Sequence, residues 1–199
     1  TNADGTLPMQ PNADLFFLSG IEQEESILVL FPDAADENHR EILFVREPNE
    51  HLQIWEGYKH TKPDARKISG IKNVRWLSEF PVMFRSLMCE ADSAYLNSNE
   101  YKRAHVEVET RDVRFIKQCQ ADFPLHTYRR LAPLLHELRV VKTDLEIELL
   151  KEAVDITARG FRRTLRFVKP GVAEYEVELD ASVVFGREGE AVGMPFRLE

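Results

Sequence analysis

The sequence predicts an α/β fold: an N-terminal mixed sheet with flanking helices, followed by almost pure helix from residue 128 to 168. Three observations predict it. S-I-L-V-L-F (26–31) and E-I-L-F-V-R (41–46) are continuous apolar runs of strand length, the pattern of strands covered on both faces. Further short strand-like runs alternate with helical patterns up to Cys119. Residues 143–168 then hold one unbroken helical period with a start and a stop signal.

In chain order, residues 1–12 are polar, with Gly5, Pro8 and Pro11, and read as an irregular lead-in. D-L-F-F-L (14–18), closed by Ser19-Gly20, reads as a strand ending in a turn. E-Q-E-E (22–25) reads as an exposed acidic loop. The two apolar runs follow, so that strand, turn, strand, turn, strand forms a meander. Residues 62–69 suit one or two helical turns, and N-V-R-W-L (73–77) a strand. Ser78 caps a helix with Phe80, Phe84, Leu87 and Met88 on one face, and S-A-Y-L-N (93–97) is another strand. Residues 109–119 look helical, with Val113, Ile116 and Cys119 inward. Residues 128–141 form a further helix striped by Leu131, Leu134, Leu135 and Leu138, its start complicated by Pro133.

The helix over 143–168 is the most fully specified element. Thr143 and Glu146 have capping-box spacing, and Asp144 and Glu146 place negative charge at the positive end of the helix dipole. Ile147, Leu150, Val154, Phe161, Leu165 and Val168 line one face. Lys169-Pro170-Gly171 stops the run. At 1.5 Å per residue the helix is roughly 36–40 Å long and needs a large partner surface.

The charge balance of -8 argues against non-specific nucleic-acid binding, which wants a basic face. No apolar run approaches the roughly 20 residues of a membrane span, so no membrane partner is expected. Cys89 and Cys119 lack metal-ligand spacing and suggest a reduced, intracellular setting, with pairing as the other reading. No basic and apolar leader pattern opens the chain, and a cytoplasmic location is expected. None of the six histidines sits in H-E-x-x-H, and G-x-S-x-G, G-x-G-x-x-G and the P-loop pattern are absent. The carboxylates of Glu22, Glu24 and Glu25 have the chemistry to hold a hard cation, but a solvated loop is the simpler reading. Trp55, in I-W-E-G, reads either as a core tryptophan closing the sheet or as a recognition element with a rigid apolar face. Trp76 reads as packing. The residues by themselves therefore show no self-contained active site.

Four stretches together resemble the aminopeptidase P (Xaa-Pro aminopeptidase) family of the creatinase or pita-bread metallopeptidases. They are Q-P-N-A-D-L-F-F-L-S-G-I-E-Q-E-E-S-I-L-V-L-F (10–31), I-W-E-G (54–57), H-E-L-R-V-V-K-T-D-L-E-I-E-L-L-K-E-A (136–153) and V-K-P-G-V-A-E-Y-E-V-E (168–178). They occur in the family's order along nearly the whole chain.

The resemblance implies three regions: an aminopeptidase P N-terminal domain over 1–124, a connecting helix over 125–142, and the incomplete beginning of a pita-bread catalytic domain over 143–199. The first implies a six-stranded mixed sheet of ribonuclease-H-like, creatinase N-terminal type. The last implies helices that open a truncated α+β pita-bread domain, with the 143–168 helix packing on its curved sheet.

The family releases an N-terminal residue that precedes proline, using two divalent metal ions, usually manganese. Paired metals lower the pKa of a bridging water and stabilise the charge that develops at the scissile carbonyl. The family's ligands, two Asp, one His and two Glu, are implied to lie beyond Glu199. No metal ligand and no catalytic residue is therefore assigned in this chain, His136 and Glu137 included, and residues 1–199 alone are expected to be inactive and to bind no metal. The matching tryptophan lies near the substrate pocket of a neighbouring subunit in the family, which makes Trp55 the one substrate-binding candidate. Peptides with proline second and a homo-oligomer are the implied partners. A non-catalytic binding module of the same fold and a proline dipeptidase are the alternatives. Past Glu178 the resemblance fades, and Gly186, Gly189 and Gly193 are expected to interrupt helix.

Overall fold

The computed structural model describes residues 11–49, 57–100 and 107–189. The chain divides into two compact units, Thr1–Leu135 and His136–Glu199.

The first unit opens with helix α1, Ala13–Ser19, where the sequence reads as a strand. The caps decide it. The Asn12 side chain accepts from the backbone N–H groups of Asp14 and Leu15, both at 3.0 Å. Gly20, at φ +67°, takes the left-handed turn that ends the helix and donates to Phe16 O. A short apolar run is ambiguous between strand and helix, and the flanking Asn and Gly carry the distinction.

Strands β1 (Ile27–Leu30), β2 (Glu41–Val45) and β3 (Asn73–Trp76) form a sheet in that order. β1 pairs antiparallel with β2 and β2 parallel with β3. Helix α2 (Lys62–Ser69) lies in the connection between β2 and β3, as a parallel pair requires. Thr61 and Asp64 form its capping box.

β2 is the centre of the unit. Leu43 and Val45 join Ile21, Ala65, Ile71 and Val74 on one face, and Ile42 and Phe44 join Leu87 on the other. From Ile42 to Val45 its alternating side chains are thus covered on both sides, which is why that run is apolar throughout. β1 is expected to be central too, but among the described residues it borders only β2, and Leu30 is half-exposed.

A 3-10 turn over Leu77–Glu79 leads into α3 (Phe80–Glu90), so the helix starts two residues past Ser78. Phe80 meets Phe44 edge-to-face, with centroids 5.2 Å apart, and stacks on Phe84. Phe115, on α4 (Arg111–Asp122), joins both rings.

Strands β4 (Ser93–Leu96) and β5 (Thr127–Arg130) pair parallel as a second, two-stranded sheet. The residues read as the start of one long helix at Tyr128 are therefore strand, and helix α5 runs only over Ala132–Val140. The Tyr128 hydroxyl reaches Cys119 O and Phe123 O, at 2.6 and 2.8 Å. Pro133 falls in the first turn of α5, where its missing N–H costs nothing. The described residues thus show five strands, in a three-stranded and a two-stranded sheet, where a six-stranded sheet is expected.

The second unit pairs α6 (Asp144–Phe167) with α7 (Glu174–Gly189). The capping box forms: Thr143 N–H donates to Glu146 Oε2 at 2.8 Å, and Glu146 N–H donates to Thr143 Oγ1 at 3.3 Å. Thr143→Ala is expected to cost about 1 kcal/mol of helix stability, read as a fall in the midpoint of the far-ultraviolet circular dichroism melt. No change would show that the cap contributes nothing.

Two expectations are corrected here. α7 runs through Gly186 and its last described residue is Gly189, so Gly186 does not interrupt it, while Gly193 lies outside the described residues. The residues buried on α6 are Ile156 and Gly160, and the longer stripe from Leu150 to Leu165 is exposed. Among the described residues no helix is long and apolar enough to cross a membrane.

Candidate functional site

The densest polar centre of the first unit gathers around the turn between α1 and β1. Gln23 is buried and bridges two segments: its amide N–H donates to Arg46 O at 3.3 Å, and its Oε1 accepts from His60 N–H at 2.7 Å. Glu24 Oε1 lies 2.5 Å from Lys59 Nζ and 3.4 Å from Arg46 Nη1. Glu25 meets Arg46 Nε at 3.7 Å and Arg111 Nη2 at 2.9 Å. Charge therefore alternates across four chain segments: Lys59, Glu24, Arg46, Glu25, Arg111.

Glu25 has φ +58°, a left-handed conformation that costs a non-glycine residue about 1–2 kcal/mol. Two guanidinium groups meet its carboxylate there. Lys59 is only 4% exposed, so its ammonium depends on Glu24 for compensation. Burial pushes the Glu24 carboxyl up, but the hydrogen bond from Lys59 and the charges of Lys59 and Arg46 outweigh it and hold the group below the usual glutamate range.

This geometry corrects both sequence readings of the acidic turn. Glu22 is exposed as expected, whereas Glu24 and Glu25 are only partly exposed and are not free to hold a hard cation, because protein cations already occupy them. The sequence hides this, since Arg46, Lys59 and Arg111 lie 21 or more residues downstream of the turn.

Beside the network, the Tyr58 hydroxyl donates to Asp64 Oδ2 at 2.5 Å, and the Thr61 N–H donates to the same oxygen at 3.2 Å. The Thr61 hydroxyl and then the Tyr58 hydroxyl hold the Asp64 carboxyl below its usual range. Gln23, Lys59 and Asp64 together fix the backbone from Tyr58 to Asp64, immediately after the I-W-E-G motif. Trp55 itself lies outside the described residues.

Trp76 is half-buried against the core, as expected, with Lys62 Nζ 4.6 Å above its ring. His136 and Glu137 are exposed on α5. Both cysteines are free. Cys119 is buried, and burial together with nearby Asp122 pushes its thiol up to about 11, which leaves it unreactive.

Among the described residues no group of three or more His, Cys, Asp or Glu side chains is placed to hold a metal ion. The described residues therefore do not fit a dinuclear metal centre.

Comparison with known proteins gives this arrangement its context. Residues 1–96 match the family "Aminopeptidase P, N-terminal domain". The chain is 28% identical over 189 residues to the Xaa-Pro aminopeptidase of Escherichia coli, covering 94% of this chain and 43% of that one. It is 23% identical over 163 residues to human Xaa-Pro aminopeptidase 3. Among solved structures, a zinc-substituted E. coli aminopeptidase P in complex with product superposes with a TM-score of 0.75 at 25% identity. That match covers 94% of this chain and 43% of the E. coli chain. A Bacillus anthracis protein proposed to be an aminopeptidase P reaches 0.82 at 28% identity, covering 95% of this chain and 45% of that one.

The fold is that of the N-terminal region of a peptidase. Residues 1–96 carry the aminopeptidase P N-terminal domain, the chain as a whole is similar to Xaa-Pro aminopeptidases, and it spans less than half the length of these relatives.

Proposed function

We propose that this chain is the N-terminal part of a metal-dependent Xaa-Pro aminopeptidase, acting in the cytoplasm on peptides with proline at the second position. The observation that carries the reading is the match along 94% of the chain, in sequence and in fold, to the E. coli enzyme. In this reading the first unit contributes to a homo-oligomer and shapes the substrate entrance, with Trp55 facing substrate. Two divalent ions, manganese by family habit, are held by residues outside 1–199. The polar network then serves as a fixed base for the segment that follows the tryptophan motif.

The test is hydrolysis of an Xaa-Pro peptide by the full-length gene product, with manganese and with a chelator. Metal-stimulated release of the first residue is expected, and none from residues 1–199 alone. A full-length product that shows no metal-stimulated cleavage, or cleaves only Xaa-Pro dipeptides, would sink the reading.

A further inference from the structure

The polar side of α6 carries a run of cations with little to balance it. From Ile156 to Ala173 the sequence holds Arg159, Arg162, Arg163, Arg166 and Lys169 and no carboxylate, in a chain whose net charge is -8. At 100° per residue the four arginines fall within an arc of about 100°. Leu150, Val154, Phe161 and Leu165 lie about 120° or more round the helix from Arg159. A sheet that covers the apolar stripe therefore leaves the arginine side facing away from it. Arg162, at the edge of the arc, also reaches the rim of the apolar groove.

The four arginines, with Phe167 and with Asp180 of α7, line an open cleft of about 580 Å³. Asp180 is the one carboxylate in that lining, and its Oδ1 accepts from Arg163 Nε at 2.8 Å and Nη2 at 2.6 Å. Arg162 and Arg166 pair with no carboxylate among the described residues. The helix dipole favours cations only within the last turn. That turn holds Arg166, whereas Arg159, Arg162 and Arg163 precede it. Packing does not account for them either, since all four are exposed. Their spacing also works against the helix. Arg159 stands three and four residues from Arg162 and Arg163, and Arg166 stands four and three from the same two, the separations at which like charges repel on a helix surface. An anion in the cleft removes that repulsion.

We infer that this cleft binds a chain of linked phosphoryl groups, free or as the phosphate part of a nucleotide. Guanidinium groups meet phosphate oxygens with paired N–H donors. The row extends over seven residues, about 10 Å of helix, so a single phosphate meets only part of it. Linked phosphoryl groups place several negative charges within that length, more densely than the side-chain carboxylates of an acidic peptide do.

The experiment is calorimetric titration of the 199-residue chain, and of the full-length gene product freed of metal by a chelator, with inorganic triphosphate, ATP, adenosine, inorganic phosphate and a short glutamate peptide. Triphosphate and ATP are expected to bind both proteins, and inorganic phosphate about tenfold or more weakly. Equal affinity for ATP and triphosphate assigns the bare phosphate chain, and tighter ATP binding assigns the nucleotide. The double variant Arg162→Gln with Arg166→Gln is expected to raise the triphosphate dissociation constant about tenfold or more, with its circular dichroism unchanged. The double variant Lys67→Gln with Arg85→Gln removes the same charge from exposed positions elsewhere and is expected to bind like the parent. Equal weakening in both double variants would overturn the proposal, by reducing it to net charge. So would adenosine binding as tightly as ATP, a glutamate peptide binding more tightly than triphosphate, or a full-length product that binds no triphosphate.

Discussion

Phe44→Ala is expected to destabilise the N-terminal unit by about 3–5 kcal/mol. Phe44 is fully buried on the central strand and packs on Leu87 and edge-to-face on Phe80. Truncation loses the transfer free energy of the ring and leaves a cavity between the sheet and α3, which the stacked Phe80 and Phe84 hinder from collapsing. The edge-to-face contact adds about 0.5–1.5 kcal/mol beyond area burial. Both tryptophans lie in the first unit, so urea unfolding followed by tryptophan fluorescence reports on it. Val82→Ala is the control: Val82 is on the same helix side as solvent, at 79% exposure, and its loss is expected within about 0.5 kcal/mol. A Phe44→Ala loss below about 1 kcal/mol would mean that the α3 layer does not pack on β2 as described.

Lys59→Met is expected to cost about 1–3 kcal/mol at neutral pH. Methionine keeps the apolar stem and removes the ammonium, leaving Glu24 with Arg46 alone at 3.4 Å. Loss of a partner from a fully buried pair costs about 3–5 kcal/mol. Glu24 is partly exposed and keeps its second cation, so the expected figure is lower.

The pH dependence gives a sharper test. The folded-state pKa of Glu24 lies below its ordinary value of 4.5. Its contribution is therefore fully present above that value and is lost as pH falls through the folded value. The stability difference between parent and Lys59→Met should be widest near neutrality and should close under acid. A difference that stays constant into acid would show that Lys59 acts through packing and not through its charge on Glu24.

Much of the fold was legible where a local rule has a local cause. The capping box at Thr143 and Glu146, the stop before Gly171, the apolar runs of β1 and β2 and the aromatic face of α3 all depend on neighbours within a turn or a strand. The errors have physical reasons. Asp14–Leu18 is too short and too apolar for periodicity to separate strand from helix, and the caps at Asn12 and Gly20 held the answer. Tyr128–Arg130 is strand because β4, more than thirty residues earlier, offers it a parallel edge. β1 has a central strand's composition but stands beside only one described neighbour.

The family was also legible, in four ordered stretches with no single decisive motif among them. The polar centre was not. Q-E-E reads as an exposed acidic turn until the fold brings Arg46, Lys59 and Arg111 to it.

The sequence by itself determined the capped helix that starts at Thr143, that β2 has two covered faces, and the family that the chain resembles. Capping, apolar periodicity and ordered motifs are all written along the chain. Only the tertiary structure decided the pairing of Lys59 with Glu24, the split into two sheets and the face of α6 that stays open, because each depends on residues the chain keeps far apart until it folds.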